Sequence, residues 1–148
     1  FLLSLLAGLT SGLAAGLMLR PGPAPEAPTG LAALEAGGIA GALSRLEAGA
    51  SERAAAGEVS LVASFRTSDG ALCREFELAA EGEAVVGIAC AEDGSWDLRF
   101  AVANGGAGGQ DYAPAGALEA LDAWLAGIGA GAPLSAEAER AALSDLGE

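Results

Sequence analysis

Four runs of alternating apolar and polar residues fill the middle of the chain: EVSLVASFRT from residue 58, ALCREFELA from 71, AVVGIACA from 84 and SWDLRFAVA from 95. Alternation with period two is the signature of strands with one face buried. The separators SDG, EGE and EDG are turn formers, and strands spaced by about ten residues with such turns form hairpins. The pattern therefore predicts a four-stranded antiparallel meander over residues 58–103. In its second strand Leu72, Arg74, Phe76 and Leu78 share one face, while Cys73, Glu75 and Glu77 share the other.

The flanks follow other periods. Residues 1–19, FLLSLLAGLTSGLAAGLML, carry no charge. As a helix they would reach roughly 28 Å at about 1.5 Å per residue, close to the thickness of a hydrocarbon core. A signal-peptide core would be shorter, with a basic start and a small-residue cleavage site. The run therefore predicts a transmembrane helix in the lipid bilayer, followed by a Pro-rich linker over 20–30. Gly8, Gly12 and Gly16 recur every four residues and offer a helix-packing face for self-association in the membrane. Residues 31–56 are Ala-rich with Leu31, Leu34, Ile39, Leu43 and Leu46 near helical spacing, which predicts a helical segment interrupted at Gly37-Gly38. Residues 104–116 are expected to be a Gly-rich loop. Residues 117–148 then read as helices: Leu118, Leu121, Trp124 and Leu125 share a face, and Ser135 is placed as an N-cap ahead of Glu137 and Glu139. The fold class expected is α+β: a transmembrane helix, then a small β-meander domain flanked by helices.

Composition narrows the function. The chain has 148 residues, a net charge of −13, seven basic residues that are all arginine, and no histidine. Nothing resembles the basic stripe that nucleic acid requires, so no nucleic-acid partner is expected. Without histidine there is no ordinary general base for a cysteine nucleophile, and no CxxC provides a metal set. No cofactor and no catalytic residue is expected. Arg66, Arg74 and Arg99 fall on neighbouring strands and offer a small anion- or partner-binding face, in competition with cross-strand pairing to Glu75, Glu77 and Asp97.

The two cysteines are Cys73 and Cys90. A hairpin turning at Glu81-Gly82 places them directly opposite one another, within reach of a disulfide. A slip of one residue would separate them. Of a structural disulfide, two buried free thiols and a reactive thiol, the Cys73–Cys90 disulfide is the reading expected, and it implies an oxidising compartment. Trp96, Phe65 and Phe76 are expected in the core near this pair.

The stretch SFRTSDGALCREFE, followed by GIAC and DGSW, resembles the extracytoplasmic region of transmembrane anti-sigma factors of proteobacteria. The positions that carry the resemblance are Ser64, Phe65, Arg66, Asp69, Gly70, Cys73, Arg74, Phe76, Gly87, Ala89, Cys90, Gly94 and Trp96. It implies a single-pass inner-membrane protein with a periplasmic C-terminal domain. It also implies a sigma factor partner, held by a cytoplasmic segment preceding Phe1. A similar cysteine hairpin occurs in small outer-membrane surface antigens, which leaves an envelope structural or accessory protein as the alternative.

Overall fold

Each alternating run becomes a strand in the computed structural model, which describes residues 37–106 and 115–147. The elements are α1 (Ile39–Arg45), β1 (Ser51–Ala54), β2 (Gly57–Arg66), β3 (Leu72–Ala80), β4 (Glu83–Glu92), β5 (Ser95–Gly106), α2 (Ala115–Gly127) and α3 (Ala136–Asp145). The strands form one antiparallel sheet in the order β1-β2-β3-β4-β5. The turns that fix register are chemically specified. Glu81 and Gly82 (φ 45° and 86°), like Asp93 and Gly94 (φ 48° and 76°), occupy the left-handed region at both central positions. That is the geometry of a two-residue hairpin turn whose twist matches its strands.

The sheet has five strands, not the four expected. The extra strand, β1, comes from the stretch predicted to be helical. Of residues 31–56, helix is described only over Ile39–Arg45, and Ser51–Ala54 instead pair with Gly57–Ser60 of β2. Alanine's helix preference is a fraction of a kcal/mol per residue, and a ladder against an existing strand overrides it. The transmembrane helix expected over 1–19, with Gly8, Gly12 and Gly16, lies outside the described residues, as does the 20–30 linker. Among the described residues no helix is long and apolar enough to cross a membrane. The α+β description is therefore corrected to a five-stranded antiparallel sheet with three described helices and no supported membrane span.

The sheet carries an apolar cluster on each face. On the first, Val59, Leu61, Leu72, Phe76, Ala89 and Trp96 pack against Ile39, Ala42 and Leu43 of α1 and Ala142 of α3. On the second, Phe65, Cys73, Val86, Ile88 and Cys90 pack against Leu121, with Trp124 and Leu125 of α2 alongside. A bulge at Val62 of β2 lets Leu61 and Ser64 both face the first layer while Val62, 45% exposed, turns outward. The chain passes from the second face to the first along the edge of β2. The Gly131 amide donates to the Arg66 carbonyl (2.9 Å) and the Leu134 amide to the Ser64 carbonyl (2.7 Å). Ser135 then caps α3, its hydroxyl accepting from the Ala138 amide at 3.2 Å. This crossing sets α3, and with it Glu139, over the first face.

Candidate functional site

Arg74 is the largest fully buried side chain of the domain. It leaves β3 near the start of the strand toward the layer formed by α1 and α3, and its guanidinium donors have partners there. Nε donates to the Ser64 hydroxyl (2.8 Å), and Nη1 to the Leu43 carbonyl. Nη2 donates to the Leu46 carbonyl (2.6 Å) and to Glu139 Oε1 (2.8 Å). These two carbonyls lie at the C-terminal end of α1, where backbone acceptors lack helical partners and the helix dipole favours a cation. Glu139, 2% exposed, also accepts from the Ser64 hydroxyl (2.6 Å) and the Ala48 amide (3.0 Å).

The two charges respond in physically distinct ways. Burial pulls the Arg74 guanidinium below its ordinary value, and Glu139 partly offsets this. Burial pushes the Glu139 carboxyl up, but hydrogen bonds from Ser64 and the Ala48 amide, with the charge and hydrogen bond of Arg74, outweigh it and leave the group below the usual carboxylate range. The result is a closed ion pair that ties β2, β3, α1 and α3 together. It has the character of a structural junction, since every polar atom named is engaged inside the protein.

On the second face Cys73 and Cys90 are directly paired across β3 and β4 and joined by a disulfide. The register follows from the Glu81-Gly82 turn. Of the three aromatic residues expected beside it, Phe65 alone shares its cluster. Phe76 and Trp96 lie on the opposite face. Phe76 is three residues from Cys73 and so has the other parity on β3, while Trp96 pairs with Ala91, the neighbour of Cys90. Trp96 instead donates its indole N–H to the Ser44 hydroxyl of α1 at 2.9 Å.

The three arginines do not form one face. Arg74 is enclosed as described. Arg66 is exposed at the end of β2 and donates to the Gly70 carbonyl at 2.8 Å. Arg99 sits in a bulge of β5 and bridges Asp97 (2.8 Å) and Glu92 (2.5 Å). Burial decides this division, because β3 is central and β5 is an edge. No group of three His, Cys, Asp or Glu residues among the described residues could hold a metal ion. A cleft of about 440 Å³ opens at one end of the sheet, between the Thr67–Gly70 turn, the ends of β4 and β5, and the C-terminal half of α2.

Comparison with known proteins shows a likeness over part of the chain. Residues 44–97 match the family model of the 17 kDa outer membrane surface antigen. The matched stretch is just over a third of the chain and holds β1 to β4, the disulfide, Arg74, Ser64 and Trp96. No curated protein and no solved structure matches the chain. A likeness to an outer-membrane antigen does not fit a single-pass inner-membrane protein, and with no membrane-crossing helix among the described residues that localisation is corrected. What the match supports is a domain similar to an envelope surface antigen.

Glu139 lies outside the matched stretch, and its role was not read from the sequence. Its first-turn position suggested only a favourable dipole contact. A signal was present: Glu139 shares a helical face with Ala142, Leu143 and Leu146, so the apolar stripe of α3 opens with a carboxylate. A charge at the head of a buried stripe calls for a buried partner.

Proposed function

We propose that this chain is a non-enzymatic envelope structural or accessory protein built around a surface-antigen-like domain. The observation that supports this best is the match over residues 44–97, which takes in the stapled hairpin and the arginine beneath it. The disulfide agrees with an oxidising compartment outside the cytoplasm. The polar network agrees with a scaffold, because its donors and acceptors face one another and leave no reacting atom exposed.

The test is fractionation of source cells with differential alkylation of thiols before and after reduction. The expected result is an envelope-associated protein with Cys73 and Cys90 oxidised, recovered with a stoichiometric envelope partner. A cytoplasmic protein with both thiols free overturns the reading. The anti-sigma reading rests on sequence resemblance alone. Capture of a sigma factor by the natural polypeptide, with no envelope partner, would put it first.

A further inference from the structure

We propose that the cleft between α2 and the Thr67–Gly70 turn binds a small organic cation, an amine or ammonium head on an apolar body. The inference concerns a site that the envelope reading leaves unassigned, and it does not depend on that reading. The cleft, about 440 Å³, falls within the range of about 300–1,000 Å³ typical of small-molecule sites. Its walls are Trp124 and Ile128 from α2 and Ala91 and Cys90 from β4. Its charged rim is Asp69, Glu92 and Arg99.

The rim decides which ligand fits. Arg99 is the one cation among the described lining residues, and it is already engaged by Asp97 at 2.8 Å and by Glu92. Its charge also reaches Asp69. The Thr67 hydroxyl foremost, then neighbouring backbone groups and to a lesser degree Arg99, hold the Asp69 carboxyl below the usual range, so it is ionised at neutral pH. Three carboxylates thus share one guanidinium, and the mouth carries excess negative charge. Arg66 does not relieve it, since its guanidinium turns to the Gly70 carbonyl and does not line the cleft. An anionic ligand would meet no free cation among the described lining residues. An ammonium group would offset the excess, and the Trp124 indole, which also packs on Phe100 with ring centroids 5.4 Å apart, supplies an aromatic wall that a cation favours. The apolar body would lie along Ile128 and the disulfide, and the net charge of −13 raises the local concentration of cations.

The experiment uses three probes with one body and three heads: phenethylamine, 2-phenylethanol and phenylacetate. Each is titrated into the full chain and followed by amide and indole NMR shifts. The expected result is saturable binding of phenethylamine, with shifts at Ala91, Trp124 and Ile128. The alcohol should bind about tenfold more weakly and phenylacetate more weakly still, as one partly screened charge contact implies. Asp69→Asn keeps an acceptor for Thr67 at an exposed turn, so the fold is retained. It should reduce phenethylamine affinity several-fold and leave the alcohol unchanged. Equal affinity for amine and alcohol, tighter binding of phenylacetate, indifference to Asp69→Asn, shifts away from the cleft, or no saturable amine binding would each overturn the proposal.

Discussion

On the first face of the sheet Glu139 is 2% exposed and accepts hydrogen bonds from Ser64, the Ala48 amide and Arg74. On the second, Glu75 is half-buried beneath α2, and its neighbours are the like charges of Glu77 and Asp122. Burial acts on both carboxyls in the same direction. The surroundings decide the outcome: Glu139 is held below the usual carboxylate range, whereas burial, Glu77 and Asp122 all push Glu75 above it. One face is therefore secured by a satisfied ion pair and the other by a disulfide with an uncompensated acid beside it. The depth of an acid matters less than whether its neighbours donate to it.

The largest expected effect comes from breaking the ion pair. Arg74→Met leaves Glu139 buried without its cation and the Leu43 and Leu46 carbonyls without their donor. Removing one partner of such a pair costs about 3–5 kcal/mol, read from denaturant midpoints at pH 7. The double variant Arg74→Met/Glu139→Leu should recover part of that, because no charge is left buried alone, while the Leu43 and Leu46 carbonyls, the Ser64 hydroxyl and the Ala48 amide still lose their partners. If the single variant costs less than the loss of an exposed pair, the contrast between the faces disappears.

Next comes the staple. Cys73 and Cys90 are 17 residues apart, and their disulfide should contribute about 3 kcal/mol by restricting the unfolded chain. Cys73→Ser/Cys90→Ser should lower stability by that order. It should also raise hydrogen exchange in α2, which packs on the disulfide cluster through Leu121, before it affects α1 and Trp96 on the other side. Equal loosening of both faces would show that the sheet transmits the change and that the two layers are not separable.

A smaller effect is expected at Gly87, which pairs with Phe76 on the first face. A Cβ there would stand 2.4 Å from the Phe76 ring. Gly87→Ala should cost about 1–3 kcal/mol as an overpacking change. Adding Phe76→Leu, which removes the ring, should make the alanine far less costly in the double variant than alone.

The strand pattern, turn chemistry and cysteine register were legible because each is local. Alternation assigns a face, and two turn residues fix which positions oppose. Three things were not. β1 is short and Ala-rich, and only pairing with β2 makes it a strand. Nearness in sequence suggests Phe76 and Trp96 beside the disulfide, but parity puts them on the other face. The Arg74–Glu139 pair joins residues 65 apart through a chain crossing at the edge of β2. No local period encodes that crossing. Sequence placed Arg74 on an apolar strand face beside Leu72 and Phe76, and a charge in that position marks burial better than it marks ligand capture.

The gentlest change separates the faces most cleanly by pH. Glu139 has a depressed carboxyl in the fold, so the stability it contributes is present above its unfolded value of about 4.3 and is lost as pH falls through the lower folded value. Glu75 has a raised carboxyl, so the folded state favours its proton. Its contribution is intact below about pH 4.3 and is lost as pH rises through the folded value. Glu75→Gln mimics the protonated form. It should raise stability at pH 7 by less than about 1 kcal/mol, the scale of partly screened like-charge contacts, and leave it unchanged near pH 4. Glu139→Gln should do the reverse, costing stability at pH 7 and progressively less as the wild-type carboxyl is protonated. Thermal melts of both variants across pH 3 to 8 read the two signs directly. Parallel curves for the two variants would mean that neither burial beneath α2 nor the charges of Glu77 and Asp122 raise the Glu75 carboxyl.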